Sequence, residues 1–90
     1  MKLPINYNTT HYMIRRKVRL EYIKRQKNLC SHCNQSLDNM PDMSLKVNET
    51  LFPPNFFKWP IHLHHNHNTG MTIGAVHAYC NAILWEHHGE

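Results

Sequence analysis

The spacing of apolar positions changes character twice along the chain. Over 9–28, Ile14, Val18 and Tyr22 recur at four-residue intervals and form one ridge of a helix. Met13, Leu20 and Ile23 fall on the opposite side, with basic residues between the two groups, and Thr9 and Thr10 are the candidate N-caps of a helix over 11–28. Over 29–60 no period survives: Pro41, Pro53 and Pro54 interrupt it, and a strand is expected only at 44–48. Phe52, Phe56, Phe57 and Trp59 in this stretch either cover the core, the commoner fate of such side chains, or form a base-stacking loop. The last stretch, 61–88, predicts a hairpin followed by a helix. Ile61 to His65 is one strand, Asn66 to Gly70 a turn with Gly70 free to take positive φ, and Met71 to Val76 a second strand. The helix runs from about Ala78, with Trp85 expected in the core rather than stacked on a base.

Composition limits what these elements can build. The chain has 90 residues, 41% of them apolar, enough for one domain with a small core that benefits from a staple. No run approaches the ~18 apolar residues of a membrane span, and Met1 to Asn6 lacks the apolar stretch of a secretory signal, so a cytoplasmic protein is the simplest expectation. Its 3 cysteines suit a disulfide framework poorly, and Cys-x-x-Cys in a reducing compartment binds metal or does redox chemistry. Cys30-x-x-Cys33 and His77-x-x-Cys80 repeat one spacing and together offer the Cys3His set of a structural Zn2+ site. Such a site would join the end of the basic helix to the start of the last one, with His32, inside the knuckle, directed away. The competing reading is three buried free cysteines and a surface His77.

Charge points in two directions. The net charge is +4, and seven of the ten Lys and Arg are Arg15, Arg16, Lys17, Arg19, Lys24, Arg25 and Lys27. A field of that sign suits a polyphosphate partner, while a merely solvated helix face would look the same. What tips the balance is His62-Leu63-His64-His65-Asn66-His67, with Asn81 downstream: metal ligands and a general base crowded beside the zinc pairs, a combination suited to phosphodiester hydrolysis. Taken singly, His62 is an extra ligand or a surface strand residue, and Asn81 is a ligand or a helix cap.

The pattern Leu63-His64-His65-Asn66-His67-x-Thr69-Gly70, then Gly74-x-Val76-His77-x-x-Cys80-Asn81, resembles the HNH nuclease family, and within it the phage recombination endonuclease VII branch. The resemblance covers roughly 29–85, with a poorly matched middle. It implies a small α+β fold over 1–90: a basic helix at 9–28, a zinc knuckle and irregular segment at 29–60, and a ββα-metal motif at 61–88. It also implies a metal-dependent endonuclease that nicks double-stranded DNA as a monomer, leaving 5′-phosphate and 3′-hydroxyl ends. Two copies would serve a double-strand break, and host cytoplasm would be the setting if the chain is phage-encoded. His65 takes the general-base position, His64 and Asn81 those of the catalytic-metal ligands. Cys30, Cys33, His77 and Cys80 take the four zinc positions, His77 in place of the commoner Cys. His67 matches a position often polar or His, with His62 a further auxiliary candidate.

Two consequences follow from the substitutions. A third ligand position, present in some members, falls on Trp85, and His64 in place of an acidic ligand shifts preference from Mg2+ towards Mn2+, Co2+, Ni2+ or Zn2+. In an ideal strand His64 and His65 would face opposite ways, placing metal and base on two sides of the attacking water. The alternative to an enzyme is a non-catalytic zinc module that binds nucleic acid.

Overall fold

The structure, a computed structural model, describes residues 1–41 and 47–88. Among the described residues, four main elements follow in order, α1 (Tyr12–Arg25), β1 (Ile61–His65), β2 (Thr72–His77) and α2 (Ala78–His88), with a 3-10 turn at Glu49–Leu51. The two strands pair antiparallel, giving the small α+β arrangement expected. No helix among the described residues is long and apolar enough to cross a membrane.

α1 differs from its predicted span at both ends. His11, not Thr9 or Thr10, caps it: Nδ1 accepts from the Met13 N–H at 3.2 Å. The Thr10 hydroxyl is drawn off to donate to the Asn6 carbonyl at 2.6 Å. The helix stops at Arg25 because Lys27 (φ 55°) and Asn28 (φ 62°) take left-handed conformations that helical hydrogen bonding cannot continue. Val18 is buried and Tyr22 packs on the core, but Ile14, at the head of the same ridge, is exposed. Of the opposite set, Ile23 reaches the core, whereas Met13 and Leu20 face solvent.

The middle stretch departs further from expectation. Positions 44–46 of the expected strand lie outside the described residues, and Val47 and Asn48 form no strand. Phe52, Phe56 and Phe57 are half-buried and pack on one another, with Phe52–Phe56 and Phe56–Phe57 centroids 4.6 and 4.9 Å apart. Trp59 does not join them in covering the core; it is 62% exposed. Two bonds fasten this stretch to α2: the Val47 N–H donates to the Tyr79 hydroxyl at 3.2 Å, and the Asn48 N–H to Glu86 Oε2 at 3.0 Å.

The hairpin is close to its predicted form. β1 occupies the expected residues, and β2 sits one residue later than expected. In the turn, Asn66 Oδ1 accepts from the Asn68 and Thr69 N–H groups, and Gly70 has φ 78°. A side chain at Gly70 would also strike the N-terminal segment, since a Cβ there would lie 2.8 Å from Asn8 Nδ2. That segment runs along the hairpin: Tyr7 N–H donates to the Gly70 carbonyl at 2.7 Å and Thr72 N–H to the Ile5 carbonyl at 2.9 Å.

The core is built around sulfur. Cys30 and Cys80 are fully buried among Leu37, Ala75 and Val76, with Tyr22, Ile23 and Ile61 packed against them. Gln26 ties α1 to β2 by copying a strand partner: its Oε1 accepts from the Ala75 N–H at 2.9 Å and its Nε2 donates to the Ala75 carbonyl at 2.9 Å. The close approach requires a glycine next door, because a Cβ on Gly74 would lie 2.8 Å from Gln26 Oε1.

Candidate functional site

Two groups of chemistry-bearing residues are assembled on this frame. The first is the cluster predicted from the paired spacing. Cys30 and Cys33 stand in the knuckle after α1, His77 ends β2 and Cys80 lies in the first turn of α2. Their donor atoms all lie within 4.8 Å of one another, so this Cys3His cluster could hold a metal ion. The detail fits zinc. Four donors at about 2.0–2.3 Å from a tetrahedral ion stand roughly 3.5–3.8 Å apart. His77 Nδ1 lies 3.5 Å from both Cys33 Sγ and Cys80 Sγ.

Protonation fits as well. His77 Nε2 is 2.8 Å from the Ser36 carbonyl, which can only accept, so Nε2 carries the proton and Nδ1 presents its lone pair to the sulfurs. A hydrogen bond from the Cys80 thiol holds Cys30 down to about 4, against the opposing effect of burial. The same bond, with burial, pushes Cys80 up. His32 is exposed and stands outside the four, as its place in the knuckle suggested.

The second group surrounds a cleft of about 750 Å3. β1 contributes His62, His64 and His65, the turn contributes His67, and α2 contributes Asn81 and Trp85. α1 lines it with Tyr12, Arg15, Arg16 and Arg19. His64 and His65 both line this cleft. The ladder is irregular at this step: His64 pairs with Gly74 but His65 with Thr72, leaving Ile73 of β2 as the extra residue of a bulge.

Each side chain in the cleft is held by identifiable neighbours. His64 is 6% exposed, with its Nε2 shut off from solvent. His65 stacks on Tyr7, centroids 4.0 Å apart and planes within 6°. Arg15 stands 4.0 Å from the same Tyr7 centroid and donates from Nε to the Tyr7 carbonyl at 2.8 Å. Two groups cannot share one ring face at that distance, so Tyr7 is clasped between the arginine and the histidine. Burial holds the His65 ring below its ordinary 6.5, helped by His67 and His64 and opposed by the Leu63 carbonyl, which favours the protonated ring. His67 lies 4.8 Å from His65 and meets Trp85 edge-on at 6.0 Å.

His62 acquires a definite part. Its Nε2 donates to the Phe56 carbonyl at 2.8 Å, which leaves Nδ1 to accept from Asn81 Nδ2 at 3.1 Å. Burial keeps the His62 ring neutral by lowering its pKa, as this arrangement requires. Asn81 is thus neither a bare helix cap nor free to rotate. Its amide nitrogen is turned to His62, and its oxygen points elsewhere.

The seven basic residues divide. Arg15, Arg16 and Arg19 line the cleft. Arg25 is committed to Glu21 at 2.8 Å and the Met1 carbonyl at 2.6 Å, and Lys17, Lys24 and Lys27 are exposed without lining it. Trp85, expected in the core, is 54% exposed at the cleft, and Glu86 accepts from the Asn48 backbone. Sequence reasoning missed Tyr7 and Gln26, whose partners lie 58 and 49 residues away and leave no local signal. Comparison with protein-family models, curated proteins and solved structures finds no match for this chain.

Proposed function

We propose that the protein is a metal-dependent DNA endonuclease of the HNH, ββα-metal type, with a structural Zn2+ on Cys30, Cys33, His77 and Cys80. The observation that carries this reading is the convergence of His64, His65 and Asn81 on one cleft that three arginines also line. In the hydrolysis, His65 takes a proton from the attacking water at a ring nitrogen. Its lowered pKa keeps it in the neutral, proton-accepting form at neutral pH. Tyr7 fixes the plane of that ring by stacking, so the base needs no reorientation as the water approaches.

His64 and Asn81 are the residues that would hold a divalent cation, His64 through its buried imidazole and Asn81 through the amide oxygen left over by the bond to His62. When bound, that cation supplies charge stabilisation to the phosphate and the leaving oxygen. His62 orients the Asn81 amide, and Arg15, Arg16 and Arg19 bind the phosphates flanking the scissile bond.

The test is nicking of supercoiled plasmid by zinc-loaded protein, with and without added Mg2+, Mn2+ or Ni2+, beside a His65→Ala variant. Cation-dependent conversion to open circles, lost in the variant while its melting curve is kept, is expected. Equal cutting by the variant overturns the assignment of the base. Binding of DNA without cutting under any cation leaves a non-catalytic zinc module.

A further inference from the structure

The cleft carries more aromatic surface than hydrolysis needs. Both tryptophans of the chain line it, Trp59 at 62% exposed and Trp85 at 54%, together with Tyr12 at 70%. Single exposed apolar residues are ordinary on protein surfaces, but large rings gathered round one opening mark an interaction site. Trp59 stands on a segment braced by the Phe52, Phe56 and Phe57 cluster, and Phe56 also meets His62 edge-on at 4.7 Å. Trp85 lies one helical turn beyond Asn81 on α2, on the same face of the helix.

Charge says what these rings meet. Arg15, Arg16 and Arg19 line the same cleft, Lys58 Nζ lies 5.5 Å from the Trp59 centroid, and no aspartate or glutamate lines the cleft among the described residues. Aromatic faces interleaved with cations fit a polyanion that also offers flat π-surfaces, which is a nucleic acid strand. In an intact duplex those surfaces are covered by neighbouring bases, and an exposed tryptophan has no face to meet. A strand with unpaired bases presents them.

We infer that the cleft receives a DNA strand with unpaired bases, which stack on Trp59 and Trp85 while Arg15, Arg16 and Arg19 hold the adjoining phosphates. The inference rests on the endonuclease reading for the choice of DNA and for the strand's role as substrate. It narrows that substrate to single-stranded or locally opened DNA.

Because both tryptophans line the cleft, intrinsic fluorescence reports occupancy directly. Zinc-loaded protein without added divalent cation is titrated with an oligonucleotide of about 12 nucleotides, a blunt duplex of the same sequence, and a poly-glutamate peptide of equal charge. The single strand is expected to quench and to bind at least tenfold tighter than the duplex, the peptide to bind weakly. Trp59→Ala and Trp85→Ala should each weaken single-strand binding by roughly 5- to 150-fold, the range of one lost base stack, with Phe at either position restoring most of it. Melting curves should be unchanged, because both rings are exposed.

Equal affinity for duplex and single strand, or no loss in either Ala variant, overturns the inference. A peptide that binds as tightly as the oligonucleotide does so too, in favour of an acidic protein partner. Cutting of duplex with no preference for unpaired strands sinks this inference alone, whereas tight single-strand binding with no cutting sinks the endonuclease reading alone.

Discussion

At the scale of single residues, the proposed endonuclease gives two imidazoles different tasks. Burial disfavours the charged His65 ring, so its pKa lies below the ordinary 6.5 and the neutral base persists to lower pH than a free histidine would allow. The nicking rate at saturating cation should therefore rise with pH through a midpoint below about 6.5 and then level off. The same sign applies to folding. The unfolded chain binds more protons than the native one between the lowered and the ordinary pKa, so the contribution of His65 to stability is present above that window and lost as pH falls through it. An activity midpoint above pH 7 would contradict the assignment. His62, in contrast, acts through Asn81, accepting from the amide that it orients. Replacing His62 by Phe keeps the ring packed near Phe56 and removes the acceptor. The cation concentration for half-maximal nicking should rise roughly 10- to 100-fold, the usual cost of losing a partner behind a metal ligand. An unchanged cation titration would reduce His62 to a packing residue.

At the scale of elements, the sulfur cluster and the Gln26 clamp carry the frame. Cys30 and Cys80 sit at the centre of a core with few large side chains, so replacing either would remove both packing and a donor of the cluster that could hold a metal. Cys80→Ser should abolish the cooperative melt and the bound zinc, while His77→Cys, which restores four donors, should keep both; zinc content per folded chain is the measurement. Gln26→Ala leaves the Ala75 N–H without its side-chain acceptor and should lower Tm by roughly 5–20 °C without changing zinc content. The hairpin and its turn were legible in the sequence because they obey local rules: β-branched residues over 71–76, Asn66 turn chemistry, a glycine where φ is positive. The zinc set was legible because two ligand pairs repeat one spacing. The His64–His65 bulge was not, since it depends on how Ile73 fails to pair across the sheet. Nor were the His11 cap and the left-handed stop at Lys27 and Asn28, where residues with weak preferences settle a competition that Thr10 leaves by bonding Asn6. Residue type favoured the core for Trp59 and Trp85 over base-stacking, and only the third dimension shows the cleft at which they are exposed.

At the scale of the whole molecule, charge distribution rather than net charge would decide how a strand is held in the proposed reading. The sequence shows one basic helix, but folding turns Arg15, Arg16 and Arg19 to the cleft and leaves Lys17, Lys24, Arg25 and Lys27 outside its lining. Each phosphate neutralised releases condensed counterions, giving a slope of log affinity against log salt of roughly −0.7 per contact on single strands and −0.9 on duplex. Three contacts in the cleft thus predict a slope near −2 for an unpaired strand, or roughly a 20-fold loss of affinity between 50 and 200 mM salt. Arg19→Ala should make the slope shallower by about 0.7, while Lys24→Ala should leave it unchanged. Arg15 is a poorer probe, because it also clasps Tyr7 and its loss would disturb His65. Equal effects of Arg19→Ala and Lys24→Ala would mean that the strand lies along the outer face of α1. The arginines of the cleft would then be close to the histidines without serving them.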